Sequence, residues 1–405
     1  MITGPAYEDI LRARGRIAPH VIRTPLVYSH AFSALAGADI YLKLETLQKA
    51  GSFKVRGATN RILGHLHEIG EKGVVAASAG NHAQGVAVAA GIAGVPSTIV
   101  MPVHASLSKQ AATKGYGARI ILDGNTLADS IRVAEGLAHD GMTFIHPYND
   151  PDVIAGQGTV GLEILEDDPA VDTIVVPVGG GGLISGIALA VKATNPGVRV
   201  IGVEAEACPS VHDALLATGV PGHAPAPSLA DGIIVPEPGR LAMTVIGDLV
   251  DEIVLVSEEE IIDAMLFLLE RKKIVAEGAG ATPAAALLGR HITIPANSNT
   301  VLVISGGNID SPLLSKVIAR GLMRQGRTLH VNIELVDRPG SLAGLLAVIS
   351  RSEGNISHIG HHKDLPGIPF DHVVVDIEME TRGPDHSARI MKEITGAGFR
   401  NIGPD

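Results

Sequence analysis

The sequence predicts an α/β protein in two parts: a two-lobed parallel-sheet region over residues 1–324, then a smaller βαββαβ module over 328–405. Three observations predict this. Short β-branched runs alternate with Ala-rich stretches of helical spacing through most of the chain. Those runs are apolar almost throughout rather than at every second residue, the mark of strands covered on both faces. The last stretch changes character, with alternating strands and amphipathic helices in a different order. At 405 residues, 46% hydrophobic and 19% charged, the chain can bury a large core. Two or three domains are expected at about 150 residues each.

The strands expected in the first part are Ile40–Leu44, Val74–Ala77, Thr98–Met101, Arg119–Leu122, Thr173–Val178, Val198–Val203, Glu252–Val256 and Thr300–Ile304. Each is a short β-branched run that ends near Gly, Ser or Asn, after which a helix begins. Helices are expected over 81–93, 126–139, 183–194, 257–272 and 311–324. The run Glu258-Glu259-Glu260 follows Ser257, where acids complement the helix dipole and read as capping. The gap at 140–170 separates four strands from four. Two lobes with a cleft between them follow, the smaller over about 46–150. In the tail, Thr328–Val336 alternates as a strand and Ser341–Ser352 is helical. Asn355–His362 and His372–Glu380 are strands, Asp385–Thr395 is helical and Phe399–Ile402 is a short strand. That order is a split, ferredoxin-like module, joined through Gln325-Gly326-Arg327.

Charge and composition exclude several functions. Lys+Arg number 32 and Asp+Glu 43, a net charge of −11, against a nucleic-acid partner. Trp is absent and aromatics are 3%, so base-stacking platforms are not expected. Cys208 is the single cysteine, which excludes a disulfide framework and reads as a small buried residue. The first residues lack an apolar h-region and no run is apolar enough for a membrane span. A soluble cytoplasmic protein is expected.

Ligands in open α/β sheets bind beyond the carboxyl ends of strands, which directs attention to four loops. In Ser52-Phe53-Lys54-Val55-Arg56-Gly57-Ala58, Ser52 is a candidate cap for a helix from Phe53. Lys54 then falls in its first turn, where the dipole disfavours a cation; it is either a surface lysine or an amine used uncharged or covalently. Ser78-Ala79-Gly80-Asn81-His82 offers free backbone N–H groups to a carboxylate. Gly179-Gly180-Gly181-Gly182-Leu183 joins a strand to a helix with no side chain over its amides, as a phosphate seat requires. Ser305-Gly306-Gly307-Asn308 adds a hydroxyl. The glycine spacing does not match G-x-G-x-x-G, because Ile184 and Ser185 stand where the last glycine belongs. A P-loop is absent as well. That disfavours a nucleotide-dependent oxidoreductase. An amine, a carboxylate seat, a phosphate seat and a neutral hydroxyl suit a cofactor bearing an aldehyde and a phosphate.

These loops resemble, in the same order, the motifs of the serine/threonine dehydratase family of pyridoxal-phosphate enzymes. Ala155-Gly156-Gln157-Gly158-Thr159 and Ala230-Asp231-Gly232 resemble it too. The tail, with Leu335-Val336-Asp337-Arg338-Pro339-Gly340-Ser341-Leu342, is similar to an ACT domain, as in the threonine ammonia-lyases (threonine dehydratases) that carry one such module. The resemblance implies a tryptophan synthase β-like fold and pyridoxal 5'-phosphate as cofactor. Lys54 would carry the cofactor covalently and, once released by substrate, act as the base. Phe53 would pack beside the ring and Asn81 would bond its hydroxyl. Gly179, Gly180, Gly181, Gly182 and Leu183 would hold the phosphate, and Ser305 would face the ring nitrogen. Ser78, Ala79, Gly80, Asn81 and His82 would surround the substrate carboxylate. The activity implied is β-elimination of L-threonine to 2-oxobutyrate and ammonia, and of L-serine to pyruvate, with serine or 3-hydroxyaspartate as alternative main substrates. Related racemases place a serine where Ala79 stands; Ala79 has no proton to give, so elimination without racemisation is implied. The ACT resemblance implies either an amino-acid effector near Asp337 and Gly340 or a pairing module, and a homo-oligomer, dimer or tetramer.

Other polar residues read as structural. Glu204 and Glu206 follow a strand where some relatives hold a divalent cation, but Cys208 and Ser210 stand where another carboxylate would help. Solvated acids, and no metal, are expected. Glu277 is either near the ring or a solvated helix-end acid. His358 and His362 share a strand face while His361 points away, as on a solvated strand.

Overall fold

The computed structural model describes residues 4–216, 226–363 and 365–403. It divides into two compact units, Met1–Asp310 and Ser311–Asp405.

In the first unit, helix α1 (Tyr7–Ile17), strand β1 (Leu26–Tyr28), helix α2 (His30–Ala36) and strand β2 (Asp39–Leu44) lead to α3 (Lys54–Gly64). Then come β3 (Val74–Ala77), α4 (Asn81–Ala93), β4 (Ser97–Met101), α5 (Leu107–Gly115), β5 (Arg119–Leu122), α6 (Leu127–His139) and the two-residue β6 (Thr143–Phe144). The long α7 (Pro151–Asp167) precedes β7 (Val171–Pro177), α8 (Gly182–Thr194), β8 (Arg199–Ala205) and α9 (Ser210–Leu215). Helix α10 (Arg240–Leu249), β9 (Glu252–Val256), α11 (Glu258–Phe267), α12 (Gly278–Leu288) and β10 (Asn299–Ile304) complete it.

Two sheets result. The larger has the order β1-β2-β10-β7-β8-β9, parallel except for the edge strand β1. The smaller is the parallel sheet β5-β4-β3-β6. The first expected strand, β2, lies in the larger sheet and not with the three that follow it. It pairs along its whole length with β10, Asp39–Leu44 against Asn299–Ile304. An apolar run records that a strand is buried, not which strand lies beside it. Ser257 and Glu260 form a capping box at the start of α11, as the acidic run suggested. That helix gives way to a π turn at Leu268–Lys272, after which Lys273 takes a left-handed conformation (φ 59°).

Helices α3 and α7 meet backbone to backbone. A Cβ on Gly156 would lie 2.6 Å from the Gly57 Cα, so the glycine in each motif serves this approach. Beside that contact lies a buried ionic cluster. Arg56 bonds Glu45 through Nε at 2.8 Å and Glu163 through Nη1 at 2.7 Å. Lys43 reaches Glu163 at 2.7 Å, and the Thr24 hydroxyl donates to Glu45 at 2.5 Å. Arg56, Lys43 and Glu45 are wholly buried. Two cations and two carboxylates balance, which makes burial tolerable, but each lone partner left behind would be an uncompensated charge.

The second unit contains α13 (Ser311–Arg324), β11 (Thr328–Val336), α14 (Ser341–Arg351), β12 (Asn355–His362), β13 (His372–Glu380), α15 (Pro384–Gly396) and β14 (Arg400–Asn401). Its antiparallel sheet has the order β12-β13-β11-β14. Val331, Ile333, Val375 and Ile377 pack with Leu345, Ile349, Ile390 and Ile394 in one core. The unit begins at Ser311, not after residue 324, because α13 lies against β11; residues 325–327 are the turn between them. His362 bonds Asp376 across the sheet at 2.7 Å. Among the described residues, no helix is long and apolar enough to cross a membrane.

Replacing Arg56 with Met leaves Glu45 and Glu163 buried without a guanidinium. The expected loss is about 3–5 kcal/mol of stability, measured as a lower denaturant midpoint at unchanged slope.

Candidate active site

Lys54 begins α3, and the way the chain enters this helix aims it. Ser52 does not cap the helix. Its backbone forms an antiparallel bridge with Gly306, the Phe53 N–H donates to the Ser305 carbonyl at 3.1 Å, and its hydroxyl is buried without a partner. Phe53 takes the N-cap position in a helical conformation. The Lys54 amine lies 5.2 Å from the centre of the Phe53 ring and donates to the Pro147 carbonyl at 3.0 Å. It is not a surface lysine. Burial pushes its pKa down to about 8, with the Glu277 carboxylate opposing that shift.

A cavity of about 250 Å³ surrounds the amine. Phe53, Lys54, residues 78–82, residues 179–183 and Ser305 all line it, so the four loops singled out in the sequence meet in one place. They sit at the carboxyl ends of β3, β7 and β10 and at the entry to α3. The glycine turn is a packed structure and not a slack one. A Cβ at Gly180 would strike the Tyr148 ring, and Gly181 is left-handed (φ 86°) with Ala242 close by. Helix α8 then starts at Gly182 with its first amides free of side chains.

On the opposite wall, Asn81 begins α4. Its Nδ2 donates to Glu277 at 2.6 Å, and its Oδ1 accepts from Asn308 Nδ2 at 2.8 Å. Asn308 also donates to the Ala50 carbonyl at 2.7 Å. This chain fixes the orientation of the Asn81 amide, with Nδ2 toward Glu277 and Oδ1 toward Asn308. Glu277 is buried, not solvated; burial and then the charge of Asp231 push it up to about 7. His82 is buried and bonded through Nε2 to the Ile145 carbonyl at 2.9 Å. Burial, and then Lys54, push it down to about 3, so it is neutral with its proton on Nε2.

Several lining residues had no signal in the sequence. Pro147 and Tyr148, next to His146 in the chain, follow β6, which at two residues is too short to read as a strand. Lys109 on α5, which also had no signal, forms a 2.7 Å ion pair at the cavity wall with Asp231 of the Ala230-Asp231-Gly232 motif.

Glu204 corrects the expectation of a solvated acid. It is 1% exposed and accepts the backbone N–H groups of Val211 and His212 at 3.0 and 2.8 Å. It holds the start of α9 from below, and burial pushes it up to about 7. Cys208 is buried. Among the described residues, no group of three or more His, Cys, Asp or Glu is placed to hold a metal ion. Asp337 and Gly340 lie in the second unit: Asp337 pairs with Lys363 at 2.7 Å, and Gly340 caps α14 in a left-handed conformation.

Residues 17–306 match the model of the pyridoxal-phosphate dependent enzymes. The chain belongs to that family. It is 46% identical over 393 residues to an L-threonine ammonia-lyase of Thermotoga maritima, covering 97% of this chain and 98% of the other. A structure of maize serine racemase is similar at 37% identity and a TM-score of 0.74, over 80% of this chain and 99% of that one. A structure of threonine deaminase isoform 2 from Solanum lycopersicum is similar at 33% identity and a TM-score of 0.69, over 78% and 89%.

The residues present fit the family's cofactor. A half-buried amine of lowered pKa can react with an aldehyde. A glycine turn whose amides open onto a 13-residue helix can seat a phosphate. Ser305, 3% exposed, offers a neutral hydroxyl at the end of β10.

Glu277 carries a pH signature. Its pKa is raised on folding from 4.5 to about 7, so its contribution to stability is full below the ordinary value and is lost as pH rises toward 7. Glu277→Gln keeps an acceptor for Asn81 but does not titrate. The decline in denaturation midpoint between those two pH values is expected to flatten in the variant.

Proposed function

We propose that this enzyme deaminates L-threonine to 2-oxobutyrate and ammonia by β-elimination, and L-serine to pyruvate in the same site. The observation that carries the reading is the Lys54 amine, half-buried with a pKa of about 8 in one cavity with the glycine turn. The 46% identity to an L-threonine ammonia-lyase along nearly the whole chain supports it.

The cofactor, when bound, supplies a conjugated electron sink that makes the substrate's Cα proton removable. The chain does the rest. Near neutral pH a useful fraction of Lys54 is free base, and its position makes it the group that takes the Cα proton. The α4 start, with the backbone of residues 78–82, seats the substrate carboxylate. When the cofactor is bound, residues 179–183 would hold its phosphate, the Asn81 amide would donate to its ring hydroxyl, and Ser305 would be the hydroxyl partner of its ring nitrogen. A hydroxyl there does not hold a proton as a carboxylate partner would, which favours prompt loss of the β-hydroxyl. Ala79 offers no proton to the face opposite Lys54.

Purified protein supplied with pyridoxal phosphate is expected to turn yellow and to release 2-oxo acid from threonine faster than from serine or 3-hydroxyaspartate. No D-amino acid should accumulate. Lys54→Ala should lower turnover by at least about 10³-fold. A colourless, inert preparation would defeat the reading, and faster release from serine or 3-hydroxyaspartate would reassign the substrate.

We further infer that residues 328–405 are a ferredoxin-like ACT module. The βαββαβ order and the sheet order β12-β13-β11-β14 support it. So does a groove of about 420 Å³ beside the start of α14, lined by Gly340, Ser341, Phe399 and Arg400 among others. The module assembles a homo-oligomer and takes an amino-acid effector at that groove. Isoleucine or valine is expected to change threonine turnover in the full chain, and Gly340→Val to abolish the response. Turnover indifferent to every branched-chain amino acid would leave assembly as the module's role.

A further inference from the structure

The loop after β6 does more than line the cavity. His146 Nδ1 accepts two backbone N–H groups of its own loop, from Tyr148 at 3.2 Å and Asn149 at 2.8 Å. An imidazole that accepts at Nδ1 carries its proton on Nε2. The two bonds curl residues 146–149 into a tight turn. At the crest of this turn the Pro147 carbonyl accepts the Lys54 amine at 3.0 Å. Tyr148 extends from the same turn, with its ring against Gly180 and its hydroxyl donating to the Glu237 carbonyl at 3.0 Å. Asn149 Oδ1 accepts the Leu241 N–H at 3.1 Å, fastening the turn to the start of α10. One short segment thus touches both the reactive amine and the phosphate turn.

We infer that the Pro147 carbonyl is the seat of the Lys54 amine whenever that amine is free, and that His146 is the positioning residue that holds the seat in place. The inference rests on the proposed role of Lys54, for it matters in the interval when substrate has released the amine. A carbonyl suits this purpose. It accepts one N–H, fixes the direction of the nitrogen, and cannot take the proton away as a carboxylate would. Three titratable groups act on Lys54 from the elements around it: Glu277 at the start of α12, His82 on α4 and His146 itself. Around His146 the charged groups are Asp150 and Lys54. Burial pushes His146 down to about 4, which keeps the Nδ1 lone pair available at neutral pH. The ring is held edge-on by Phe144 and Tyr148, at 6.1 and 4.8 Å between centres.

The test is the titration of Lys54 in cofactor-free protein, read as the pH dependence of its reductive methylation by peptide mass spectrometry. A carbonyl partner favours the ammonium form, so losing the seat lowers the midpoint. His146→Leu is expected to move it down by about one pH unit. His146→Asn, whose Oδ1 can accept the same N–H groups, should restore it to within a few tenths. A folded His146→Leu protein with an unmoved midpoint, or an Asn variant that behaves like Leu, would overturn the inference. Should the Leu variant not fold, nitrogen NMR of the unmodified protein decides, since a proton found on His146 Nδ1 is incompatible with the turn. Failure of the proposed activity would appear separately, as wild-type protein that does not bind pyridoxal phosphate at Lys54. The titration would still report on the seat.

Discussion

The site depends on the buried pairing of Arg56 with Glu45 and Glu163. Residues 54 and 56 are two steps apart on α3, about 200° around the helix, so they face opposite ways. Arg56 is drawn into the larger lobe by two carboxylates, one just beyond β2 and one on α7, with Lys43 balancing the charge. Its partner face, and with it Lys54, is thereby turned toward the cavity. The close approach of Gly57 and Gly156 removes the remaining freedom to slide. A helix start anchored this way does not need a side-chain cap, which is why Ser52 can give its backbone to Gly306 instead.

Within the cavity, burial governs the protons. It lowers Lys54 to about 8, raises Glu277 to about 7 and keeps His82 and His146 neutral. All four shifts have the same leading cause, the cost of holding charge away from water. The Lys54 amine then has a partly available lone pair, two uncharged histidines nearby, and an acid that anchors Asn81. The Asn308–Asn81–Glu277 chain and the His146 turn serve one end from two sides: each fixes the orientation of a polar group.

What could be read in advance was local. Lys54, the turn at residues 78–82, the four glycines and Ser305 lie next to strand ends whose β-branched runs are unmistakable, and the rule for open α/β sheets points to those positions. What escaped was relational. β6 is too short for any periodicity, so His146, Pro147 and Tyr148 went unseen. Glu204 carries no mark that its oxygens would be used up by amides of α9. The first strand was grouped with the three that follow it because neighbours in sequence are often neighbours in a sheet.

The chain's own order of residues therefore determined the α/β class, the family and the loops that line the cavity, because each is written in a contiguous stretch of a few residues. Only the tertiary structure decided which sheet β2 joins, where the second unit begins, and how the Lys54 amine is housed. Those outcomes arise from contacts between segments remote in sequence: Ser52 with Gly306, Arg56 with Glu163, Lys54 with Pro147. Packing and burial select among many such pairings at once, and no single segment holds the information to choose.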